Sequence, residues 1–173
     1  MEINSVNPPS SMGRRKLASP RTQLDRGNWI ESAIDVLAHD GVGGLRVEVL
    51  AKRCGVTKGS FYWHFKDRQD LLAAILEHWK EGRIRDIEKT TSVTPGKERE
   101  QLHFAIEVYG ASRNRKGMSI ELAVRDWARH DPQAATVVEA VDLYRLECTR
   151  KLFVAAGMSD AEAKSRSLLL YAC

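Results

Sequence analysis

Val47 to Lys66 reads VEVLAKRCGVTKGSFYWHFK, and the spacing of its apolar residues decides how the rest of the chain is read. Val47, Leu50, Ala51 and Cys54 fall three or four residues apart, Gly55 and Val56 interrupt, and Phe61 and Phe65 resume the pattern. Two short helices meeting at a glycine make a helix-turn-helix. Each position has a steric reason. Ala51 is small where two helices cross, Gly55 can take the left-handed conformation that closes the first helix, and Val56 plugs the corner. Leu50, Phe61 and Phe65 are expected to face inward, with Cys54 a small core residue.

The outward face of the second helix carries the chemistry. Thr57 is placed to cap its N-terminus, and Lys58, Gly59 and Ser60 fill the first turn, where a recognition helix touches base edges. Tyr62, Trp63, His64 and Lys66 follow, offering a hydroxyl, an indole N–H, an imidazole and an ammonium as donors to phosphate oxygens. The competing reading makes YWHF aromatic core. Phe61 and Phe65, four apart, can share a buried face, but Tyr62, Trp63 and His64 between them cannot all join it.

The run LAKRCGVTKGSFYWHFKDRQDLLAAIL, preceded by a helix ending in AHDGVGGLRV, resembles the N-terminal domain of the TetR family of bacterial transcriptional regulators, over about Asp25 to Trp79. The resemblance implies that the helix from Thr57 to His64 enters the major groove. Lys58 and Ser60 would then contact bases, and Thr57, Tyr62, His64 and Lys66 the backbone. One position departs: the family opens the first helix of the motif with Thr or Ser, whereas this chain has Arg46, which would reach a phosphate instead. The resemblance also implies a homodimer on a pseudo-palindromic operator in double-stranded DNA, and a C-terminal helical domain that binds a small-molecule effector. The reading is therefore a ligand-responsive repressor.

Working outward, the 173 residues are 43% hydrophobic and 29% charged, enough for one or two small domains with an adequate core. The net charge of +4 is weak evidence for nucleic acid, but its placement says more. Glu2 stands against Arg14, Arg15, Lys16 and Arg21 in a stretch rich in Ser, Pro and Asn, so 1–21 reads as a disordered basic arm. The stretch reads either as a solvated tail or as an arm in which GRRK, Gly13 to Lys16, follows phosphates or enters a minor groove. No run approaches the roughly 18 apolar residues of a membrane span, and no apolar stretch marks a signal peptide, so a cytoplasmic protein without membrane contact is expected. Cys54, Cys148 and Cys173 are too scattered for a disulfide framework or a metal cluster.

The other elements read as helices. The first is expected from Thr22, with Asp25 as a capping partner, to His39, on a stripe of Ile30, Ile34 and Leu37 flanked by Trp29 and Ala33. Asp67 caps a long fourth helix on Leu71, Leu72, Ile75, Leu76 and Trp79, running to about Lys89, and TTSVTPG is a loop. Later stripes are Leu102, Ala105, Ile106 and Tyr109; then Ile120, Ala123, Val124 and Trp127; then Val137, Val141, Tyr144, Cys148 and Leu152 behind Pro132. Gly157 ends that helix, and Ser159 with Glu162 opens the last. The expected fold is all-α. A three-helix helix-turn-helix domain (22–66) is joined by a long linking helix (67–89) to a helical ligand-binding and dimerisation domain (90–173). The apolar ending Leu168 to Cys173 has no closing signal and reads as truncated or as an abbreviated dimer interface, with core packing inside one subunit as the competing reading.

No HxxxH, HExxH, GxSxG or phosphate loop appears, so no catalytic residue, metal or cofactor is expected. An effector pocket needs apolar walls and a few polar groups. Its candidates are His103, Tyr109, Trp127 and Tyr144, with Arg125 as an anion partner, although Glu121 and Arg125, four apart, also read as an ion pair. Two other classes remain: a helix-turn-helix module that binds a partner protein, and a small helical enzyme.

Overall fold

Asp25 itself opens the first helix. Its carboxylate accepts the Asn28 N–H at 2.8 Å while the Asn28 side chain accepts the Asp25 N–H at 3.0 Å, a reciprocal box that starts α1 (Arg26–Asp40) later than the expected Thr22. The structure, a computed structural model, describes residues 24–110 and 115–172, so Thr22 and the basic arm lie outside the described residues. The stripe of α1 is also rotated from expectation. Trp29, Ala33, Val36 and Leu37 are buried, whereas Ile30 and Ile34 are only half-buried against them. The partner decides this: Phe61 stands edge-on to Trp29, ring centroids 5.5 Å apart, and fixes which side of α1 is innermost.

A short 3-10 turn (Val42–Gly44) leads into α2 (Val47–Arg53) and α3 (Lys58–Phe61). Arg68 holds that turn, donating from Nε to Leu45 O at 2.7 Å and from Nη2 to Val42 O at 3.0 Å. The long α4 (Arg68–Thr91) begins at Asp67, whose carboxylate accepts the Asp70 N–H at 2.9 Å, and all five residues of its expected stripe are buried. Each such side chain stabilises the fold by about 1.5–3 kcal/mol relative to exposure.

The chain continues through α5 (Glu98–Gly110), α6 (Arg115–Ala128), α7 (Pro132–Ala155) and α8 (Asp160–Ala172), with no strand among the described residues. Asp131 caps α7 through the N–H groups of Gln133 and Ala134, and Pro132 fills the first turn, where its missing N–H costs nothing. Gly157, at φ +99°, lets Met158 and Gly157 donate back to Phe153 and Val154 and close α7. At α8 the Glu162 N–H reaches Ser159 Oγ at 3.4 Å. Two stripe residues fall outside the core: Ile106 is exposed, because α5 packs through Leu102 and Ala105, and Tyr144 lies at the surface of α7. One apolar cluster runs without interruption from Trp29 through Phe61 and α4 to Trp127 and Val141, and a second gathers Leu102, Ala105, Leu152, Phe153 and Ala163. Among the described residues no helix is long and apolar enough to cross a membrane.

Candidate nucleic-acid interface

Gly55, at φ +68°, ends α2 in the left-handed conformation. Val56 donates to Ala51 O at 3.0 Å and Gly55 to Lys52 O at 3.2 Å, the paired bonds of a Schellman closure, and Val56 drops half-buried into the corner. Arg46 sits at the N-cap of α2 with no side-chain cap. Thr57 occupies the N-cap of α3 in extended backbone, but its hydroxyl makes no capping bond, contrary to expectation. The expected helix to His64 is also shorter. After Phe61 the chain winds on in tighter turns, Trp63 donating to Ser60 O at 3.4 Å and His64 to Phe61 O at 2.9 Å.

Phe61 and Phe65 are buried and stacked, centroids 5.2 Å apart. Between them Tyr62 is 54% and Trp63 86% exposed, with His64 intermediate and Lys66 exposed. Lys58, Gly59 and Arg46 are exposed and Ser60 intermediate. Most of the predicted residues are therefore open to solvent, with His64 and Ser60 partly covered.

Three residues missed in the sequence hold this surface in place. Arg26 of α1 donates to His64 O at 2.5 Å and to Asp70 Oδ1 at 3.1 Å, with its guanidinium 4.3 Å from the Phe65 ring centre. Asp70 also accepts the Lys66 N–H at 2.9 Å, and that bond, with Arg26 behind it, holds its carboxyl below the usual range. Glu48, in the first turn of α2, accepts Lys58 Nζ at 2.5 Å; the hydrogen bond lowers the Glu48 pKa and raises that of Lys58. Arg26 lies 38 and 44 residues from His64 and Asp70, and Glu48 lies 10 from Lys58, spacings that no helical pattern would flag.

Residues 30–75, the stretch that builds this surface, match the family model for bacterial regulatory proteins of the tetR family. This N-terminal domain belongs to the tetR family. Along it the chain is 41% identical to the class A tetracycline repressor of transposon 1721 from Escherichia coli, over 56 residues that make 32% of this chain and 26% of the repressor. The chain spans about a quarter of the length of the curated relatives it matches. Solved structures resemble it more widely. A transcriptional regulator from Rhodococcus sp. Rha1 superposes with a TM-score of 0.70 at 20% identity, covering 86% of this chain and 79% of that one. SmeT, the repressor of the Stenotrophomonas maltophilia multidrug efflux pump SmeDEF, gives 0.64 at 20% identity over 88% and 75%. These two likenesses show that the all-α fold is shared beyond the N-terminal domain.

In the C-terminal half of the chain the pocket candidates separate. Tyr109 lines a cavity of about 90 Å³ with Arg145, Leu146, Thr149, Ser167, Leu170 and Tyr171. Arg125 borders an open groove of about 440 Å³ between α6, α7 and α8, with Asp142 and Tyr171. Arg125 is not free to hold an anion: Nε donates to Glu121 at 2.8 Å, and Nη1 and Nη2 grip Asp142 at 2.9 and 2.7 Å. Burial alone would push the Asp142 carboxyl up, but Arg125 and the Tyr171 hydroxyl outweigh it and lower the pKa. Trp127 is core, and His103 and Tyr144 are exposed and line neither space; the Tyr144 hydroxyl donates to Glu88 at 2.9 Å. Asp142, Arg145 and Thr149, one face of α7, were legible as a polar stripe three and four apart and went unread.

Proposed function

We propose that the chain is a DNA-binding transcriptional regulator, a ligand-responsive repressor that binds a pseudo-palindromic operator as a homodimer. Two large aromatic side chains held out in solvent between two buried phenylalanines carry this reading, since a folded chain with no partner gains nothing from exposing them. The uncommitted Thr57 hydroxyl supports it. So does Gly59, where a side chain would meet nothing closer than Thr57 Oγ1 at 3.8 Å: no internal contact requires glycine there, and bare backbone admits a close partner. Lys58 and Ser60 read base edges, Thr57, Tyr62, His64 and Lys66 position the helix on phosphates, and Arg46 and Trp63 flank them.

Residues 22–66 act as the reading head, α4 links it to the C-terminal half, and that half holds effector and partner subunit. Exposed Leu168 and Leu169 on α8 and Leu143 on α7 supply the apolar surface a second subunit would cover. Repression by SmeT, a neighbour in fold, favours the same sign of control. Fluorescence anisotropy with labelled duplexes tests the proposal. Binding should tighten steeply as salt is lowered, and prefer an inverted repeat whose half-site centres lie about 34 Å apart or a multiple of it. Indifference to duplex DNA even in dilute buffer would overturn it.

A further inference from the structure

The cavity between α5, α7 and α8 contains two buried polar atoms: Arg145 Nε, with no hydrogen-bond partner among the described residues, and Tyr109 Oη, whose polar neighbour is the neutral Thr149 hydroxyl. Both are donors. Burial pushes the Tyr109 phenol up, keeping it protonated, and an arginine cannot shed its charge. They face each other, the Arg145 guanidinium carbon lying 5.9 Å from the Tyr109 ring centre. A buried donor without an acceptor is costly, and Arg145 Nε belongs to a half-buried cation, so the site suits an acceptor carrying negative charge.

The protein does not supply one. No carboxylate lines this cavity, and the nearby Asp142 is committed to Arg125 and Tyr171. The larger groove behaves oppositely, since its Arg125 is saturated by Glu121 and Asp142 and Glu139 also lines it. Leu146, Leu170 and the Tyr171 ring make the remaining wall apolar, and about 90 Å³ leaves room for only a few non-hydrogen atoms. We propose that this cavity binds a small organic carboxylate, its oxygens on Arg145 and Tyr109 and its short apolar body against Leu146 and Leu170. The inference rests on the reading of the C-terminal half as an effector domain, and names the chemistry of that effector.

Isothermal titration calorimetry on the full chain, with propionate, propionamide and inorganic phosphate, tests it. Propionate should bind, with the neutral amide and the tail-less phosphate each at least about tenfold weaker; Arg145→Gln should lose at least about tenfold in propionate affinity. Tyr109→Phe, which keeps the ring and its packing, should lose affinity at an unchanged melting temperature, separating recognition from unfolding. Equal binding of propionate and propionamide, preference for phosphate, or wild-type affinity in both variants would overturn the proposal. Duplex binding by the same ligand-free preparations keeps the two readings apart. A chain that binds duplex but no carboxylate refutes the inference alone, whereas one that binds propionate through Arg145 but no duplex supports it and refutes the regulator.

Discussion

Trp63 is 86% exposed, while Phe61, two places before it, has no exposed surface at all. Such a contrast within one turn means that each side chain answers to a different environment: Phe61 to Trp29 and Phe65, Trp63 to solvent. Lys58 is the residue whose present neighbour matters most, because its ammonium rests on Glu48 and must leave it to reach a base. Glu48→Gln should therefore strengthen binding to the operator, where Lys58 would meet a base, more than to random duplex, raising the ratio between them; anisotropy titrations on both duplexes decide it, and an unchanged ratio would remove Lys58 from base contact. Lys66→Ala should weaken binding to every sequence and flatten the salt dependence by about one unit, read as the slope of log affinity against log salt.

At the scale of elements, stability gathers where helices begin and end. Gly55 is needed for its backbone, since a side chain there would meet nothing but would be forced into the left-handed region. Gly55→Ala should cost about 1–2 kcal/mol in urea unfolding, with no change in the slope against urea. Asp70 ties the end of the α3 segment to α1 and to the start of α4. Its folded pKa lies below the unfolded one, so its contribution is present above the ordinary carboxylate range and fades as pH falls through its folded value. Asp70→Asn should melt below wild type at neutral pH and converge with it in acid; parallel melting curves at all pH values would contradict this.

Across the whole molecule, ion pairs bridge what the apolar core already joins. Glu121 of α6 lies 3.7 Å from Arg83 of α4 and 2.8 Å from Arg125, which holds Asp142 of α7, which in turn accepts the Tyr171 hydroxyl of α8 at 2.7 Å. At the other end of α6, Lys116 reaches Asp35 of α1 at 2.7 Å, and Asp35 also meets Arg53 of α2 at 3.7 Å. Helix α6 thus touches both the cavity wall and the reading head, the connection a ligand would need in order to change DNA affinity. Asp142→Asn should destabilise the fold by about 1–2 kcal/mol, a value discounted because Arg125 is one-third exposed, and clearly more than Glu77→Gln at a rim pair; thermal melts of both variants compare them.

Local pattern was enough to read the helix-turn-helix, the cap at Asp67, Pro132 in the first turn of α7, the break at Gly157 and the five-residue stripe of α4. Each depends on residues within one or two turns of each other, and the backbone has few ways to satisfy them. Packing alone settled the rest. Which side of α1 is innermost depends on a ring contributed by α3. The loss of Arg125 as an anion site depends on a carboxylate seventeen positions away. The cavity at Arg145 exists because α5 converges on the α7–α8 pair without any of the three bringing a carboxylate to its wall. Contacts of that range follow from how helix faces meet in space, and no periodicity along a single helix encodes them.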